Sequence, residues 1–67
     1  MEYSLQIEQE SDGRWLAEVP ELPGVLAYGA TSQAAAIQAQ ILALKVIADR
    51  LEHAESKAQS IRFIVAE

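Results

Sequence analysis

The sequence predicts a small α+β domain, a two-layer sandwich in which one helix covers a four-stranded sheet built in the order β-β-β-α-β. Three observations lead there. Tyr3, Leu5 and Ile7 alternate with Glu2, Ser4, Gln6 and Glu8, the two-residue period of a strand with one buried face. Asp12-Gly13 is a hairpin signal, because glycine takes positive φ without a Cβ clash, and Trp15, Ala17 and Val19 then alternate behind it. Thr31-Ser32 opens an alanine-rich stretch that has the highest helix propensity available and runs to near Glu52.

Each element follows from its residues. In the second strand Trp15, Ala17 and Val19 extend the core face of the first, and Arg14, Leu16 and Glu18 lie opposite. Pro20 ends that strand. Pro20 and Pro23 bracket Glu21-Leu22, with Gly24 behind them, so the connection is expected to be stiff, exposed and suited to recognition. The third strand, Val25 to about Ala30, is apolar on both sides, so either parity fits the core. Thr31 or Ser32 caps the helix by accepting from the free amides of its first turn. Ala34, Ile37, Ile41, Leu44, Ala48 and Leu51 repeat at three- and four-residue spacing and are expected to pack on the sheet. A second set, Ala35, Ala39, Leu42 and Val46, lies on another side. Contiguous apolar patches are rarely left wet, so Leu42 and Val46 are expected in a subunit or partner contact. Ile61, Phe63 and Val65 alternate with Ser60, Arg62 and Ile64 as a last strand. The helix carries the chain back across the sheet, so strands three and four run parallel and the fourth pairs beside the first, giving the order 3-2-1-4.

Composition narrows the function. A chain of 67 residues makes one domain over residues 1–67 and buries only ~60% of its unfolded surface, so a homo-oligomer is expected. The absence of cysteine fits a reducing, cytoplasmic setting, and no stretch resembles an export signal or a membrane span. The formal charge of −5 works against direct nucleic-acid binding and suits a basic protein partner. His53 is the one histidine, at the helix end without an orienting partner. Arg14 and Trp15 are adjacent, hence on opposite strand faces, and Trp15 reads as core. The glycines lack phosphate-loop spacing, and the basic residues are scattered. Glu2 and Glu8 lie too far apart on their strand to share a metal. No catalytic residue, metal ligand or cofactor is therefore expected, and the chain is read as a non-enzyme. The weaker alternative is a residual metal-dependent hydrolase acting through sheet glutamates.

The Asp12-Gly13 hairpin with Trp15, the Val19-Pro20-Glu21-Leu22-Pro23-Gly24 loop, the Gly29-Ala30-Thr31 helix entry and the β-β-β-α-β order together resemble the N-terminal domain of the HicB-type antitoxins. The resemblance spans nearly the whole chain. It implies a degenerate ribonuclease H-like fold without nuclease activity, whose partner is a small basic toxin, HicA, that cleaves messenger RNA. It further implies that the domain masks the toxin's RNA-binding surface. The stiffness of the loop makes Pro20, Glu21, Leu22, Pro23 and Tyr28 the expected contacts. A C-terminal DNA-binding domain is not expected, nor is promoter binding. The second reading is an orphan member of the family serving as an oligomeric adaptor without a toxin.

Overall fold

The computed structural model describes residues 1–54 and 57–66. Strand β1 spans Glu2–Gln9, β2 Trp15–Glu18, β3 Leu26–Gly29 and β4 Arg62–Ala66, and helix α1 spans Ser32–Glu52 between β3 and β4. The sheet order is β3-β2-β1-β4. Pairing is antiparallel for β1 with β2 and for β2 with β3, and parallel for β1 with β4. Strands β3 and β4 therefore share a direction, as the sequence predicts.

The first hairpin is closed by Glu10 and Arg14. The Glu10 amide donates to the Arg14 carbonyl at 2.7 Å and the Gly13 amide to the Glu10 carbonyl at 3.0 Å. Gly13, at φ +93°, takes the left-handed position that a three-residue hairpin loop reserves for glycine. Asp12 fastens the turn, accepting from the Arg14 amide at 3.1 Å and from its Nε at 2.8 Å. Those contacts hold the Asp12 carboxyl below its ordinary pKa, the backbone hydrogen bond contributing most.

The connection from β2 to β3 is two successive turns that share Leu22. Its amide donates to the Val19 carbonyl, and the Val25 amide donates to the Leu22 carbonyl, each at 3.0 Å. The second turn has Pro23 followed by Gly24 at φ +88°, the arrangement of a type II turn. The Val19 amide closes the pair by donating to the Val25 carbonyl at 3.0 Å. Val19, Leu22 and Val25 recur every third residue, and all three are buried. The expectation that Leu22 contacts a partner is thus corrected: it is 1% exposed and anchors the loop in the core.

Thr31 is the helix cap, its Oγ1 accepting from the Ala34 amide at 3.0 Å, a contribution of about 1 kcal/mol. At the other end Ala54 adopts φ +55°, a left-handed conformation that closes the helix and that glycine occupies at lower cost.

The face that α1 buries is the reverse of the expected one. Ala35, Ala39, Ala43 and Ile47 are buried against the sheet, with Ala36 and Val46 partly so. Ile37, Ile41, Leu44 and Leu51 of the expected core stripe are 39–48% exposed. The reason is volume. Strands and loop already supply Tyr3, Leu5, Ile7, Val19, Leu22 and Val25 to the core, so the helix contributes small side chains and sits close. Gly29 marks that approach: a Cβ there would lie 2.5 Å from the Ala35 nitrogen. Val46 packs on the core cluster, whereas Leu42 is 39% exposed.

Val25, just before β3, and Ala27 turn toward the helix and Leu26 and Tyr28 turn away, which settles the parity left open by the sequence. In β4, Phe63 is half-buried and its ring lies 5.8 Å from that of Tyr3, while Val65 stays exposed. Helix α1 packs on β3, β2 and β1 but makes no close backbone approach to β4 among the described residues. A helix is about 10 Å wide, and four strands spaced about 4.8 Å apart outspan it.

Candidate protein-binding surface

The sheet face opposite α1 carries no covering layer among the described residues. Strand alternation places Glu2, Ser4, Gln6 and Glu8 of β1 there, with Leu16 and Glu18 of β2, Leu26 and Tyr28 of β3, and Arg62 and Ile64 of β4. The register sets Glu8, Leu16 and Tyr28 in one row across three strands, and Gln6, Glu18 and Leu26 in the next. Leu26 and Tyr28 are 43% and 45% exposed.

The charges on this face divide into paired and unpaired groups. Arg62 Nη1 lies 3.2 Å from Glu2 Oε2. Arg14 is held by Asp12 and lies over the Tyr28 ring, its guanidinium carbon 4.4 Å from the centroid. Glu8 and Glu18 make no ion pair among the described residues, and both line a shallow cleft of about 280 Å³ with Gln6, Ile7 and Ala66. The face is therefore acidic where β1 and β2 meet and apolar over β3.

Glu21 reaches this face from the loop. Its Oε1 accepts from the Ser4 amide at 3.0 Å and its Oε2 from the Ser4 hydroxyl at 2.9 Å. Strand β2 ends before Pro20, so the Glu21 carboxylate occupies a place beside β1 beyond the last paired residues, Gln6 and Glu18. The Ser4 amide hydrogen bond is the main cause that lowers the Glu21 pKa. Stabilisation from a lowered carboxyl pKa is complete above the unfolded value and is lost as pH falls through the folded one. Glu21→Gln is accordingly expected to lower the melting temperature at pH 7, with the gap to the parent closing as the pH is taken toward 3. A gap that is constant over that range would show that the ionised carboxylate is not what holds the loop.

Of the residues expected at a partner contact, Pro20, Glu21, Pro23 and Tyr28 are exposed and Leu22 is core. Glu8, Glu18, Leu16 and Leu26 share the face with Tyr28 beyond the expected contacts; the signal for them is strand parity, which is readable for β1 and β2 but not for β3. His53 is exposed at the helix end and, contrary to the expectation that it lacks an orienting partner, has Nδ1 2.8 Å from the Asp49 carbonyl and 3.3 Å from Asp49 Oδ1, one helical turn back. No group of three or more His, Cys, Asp or Glu able to hold a metal occurs among the described residues. No described helix is long and apolar enough to cross a membrane.

Fold and surface define a small α+β domain with a four-stranded mixed sheet, whose one helix packs over β1, β2 and β3 on one face and whose other face is acidic and apolar. Compared with models of known protein families, with curated proteins and with solved structures, the chain matches none.

Proposed function

We propose that this chain is a HicB-like antitoxin with a degenerate ribonuclease H-like fold, which binds a small, basic, HicA-type mRNA-cleaving toxin and masks its RNA-binding surface. No bond is made or broken by the antitoxin. The observation that carries the reading is the two carboxylates Glu8 and Glu18, which make no ion pair among the described residues, on a sheet face that also exposes Leu26 and Tyr28. A surface that binds RNA is rich in cations, and a complementary acidic partner both accelerates encounter and excludes the phosphate backbone. Glu21, clamped on Ser4, lies at the edge of the same face, and the exposed Pro20 and Pro23 that flank it in the loop lower the ordering cost of binding.

The reading is tested by co-expressing the chain with a neighbouring reading frame that encodes a short, basic, histidine-containing protein. Co-purification and protection of mRNA from cleavage are expected. Reversing both charges, Glu8→Lys with Glu18→Lys, is expected to weaken capture at least tenfold while the melting temperature changes little. Full protection by the reversed variant, or mRNA cleavage that the parent chain does not suppress, would overturn the proposal.

A further inference from the structure

The outward face of α1 carries an apolar stripe at heptad spacing. Ala34, Ile37, Ile41, Leu44, Ala48 and Leu51 follow one another at intervals of 3, 4, 3, 4 and 3 residues, the alternation of a heptad repeat whose apolar positions meet a partner helix. Ile37, Ile41, Leu44 and Leu51 are each about two-fifths to one-half exposed. The opposite side of the helix holds the alanines that pack on the sheet, so the seam is not needed by the fold of one chain.

Two features of the seam identify its occupant. The first is charge: the chain carries −5 overall, yet Lys45 and Arg50 balance Asp49 and Glu52 within α1, so two copies meet here without the repulsion that the rest of the molecule brings. The second is the order of sizes along the seam. Laid antiparallel to itself, it sets Ala34 opposite Leu51, Ile37 opposite Ala48 and Ile41 opposite Leu44, and the same layers repeat in reverse beyond the centre. Each alanine meets a large side chain, and only the two central Ile41–Leu44 layers set large against large. A parallel pairing would instead stack alanine on alanine and leucine on leucine, leaving gaps beside crowded layers. A groove of about 340 Å³ lined by Leu5, Ile7, Ala36, Ile37, Gln40 and Val65 opens alongside, where α1 leaves β4 uncovered, and Ile37 belongs to both.

We propose that this stripe takes the identical helix of a second copy of the chain, antiparallel about a two-fold axis, with Ile41 and Leu44 at the centre of the contact. The interface is isologous, so it closes at two subunits.

Light scattering on the 67-residue chain is expected to give a mass twice its 7.3 kDa. Ile41→Glu with Leu44→Glu is expected to give a monomer that keeps its helical circular dichroism, whereas Leu42→Glu, exposed but off the seam, leaves the dimer intact. The chain has no cysteine, so cross-linking reports orientation even where a charged variant folds poorly. Ile37→Cys mixed with Ala48→Cys is expected to form a mixed disulfide under mild oxidation, and Ile37→Cys by itself is not. A monomeric parent chain, dissociation by Leu42→Glu, or self-cross-linking of Ile37→Cys would each overturn the proposal.

Discussion

Leu22→Ala is expected to cost about 2–5 kcal/mol, the range for truncating a fully buried leucine in a site that cannot collapse onto the space. Leu22 is among the largest side chains with essentially no exposure, and it joins two turns whose backbone hydrogen bonds both run through it. A domain of this size has only ~3–5 kcal/mol to lose, so the variant is expected to lose most of its stability at 25 °C. Urea denaturation followed by the fluorescence of Trp15, the one tryptophan, measures it. A midpoint shift equivalent to less than about 1 kcal/mol would mean that the loop does not depend on this anchor.

Gly29→Ala should also destabilise, against the usual direction of such a change. Where backbone geometry permits, replacing glycine by alanine gains about 0.4–1 kcal/mol by restricting the unfolded chain. At Gly29 the new Cβ would lie 2.5 Å from the Ala35 nitrogen and 3.0 Å from both the Ala34 carbonyl carbon and Cβ. These atoms belong to the first turn of the helix, whose cap and inward alanines fix its position, so the helix must shift as a body. Overpacking of this kind costs about 1–3 kcal/mol, and each kcal/mol lowers the melting temperature by roughly 4–8 °C in a domain this small. A melting temperature equal to or above that of the parent would show that β3 and α1 are not in the close contact described.

The two substitutions probe features that differ in how far they could be read beforehand. The turn at Asp12-Gly13, the end of β2 at Pro20 and the helix start at Thr31 were legible, because each depends on the local chemistry of one or two residues. The loop from Val19 to Val25 was legible as a stiff connection, but neither as two turns nor as core. Val19 follows the alternation of Trp15 and Ala17, but Leu22 and Val25 come at an interval that matches neither the strand nor the helix period, so no periodicity argument could assign those two a direction. The candidate surface was legible in half: alternation told which residues of β1 and β2 face outward, whereas the apolar run in β3 hid the placement of Leu26 and Tyr28.

Covalent and short-range constraints, namely turn glycines, prolines, a capping hydroxyl and two-residue alternation, were enough to establish the number, kind and order of the elements and the antiparallel and parallel pairing between them. Which side of α1 meets the sheet needed the assembled molecule. The helix carries aliphatic side chains on two opposite faces, so its hydrophobic pattern favours both orientations about equally. The choice falls to the volume left above the sheet, which large residues from the strands and the Val19–Val25 turns nearly fill, so that only an alanine face can come close enough to exclude water.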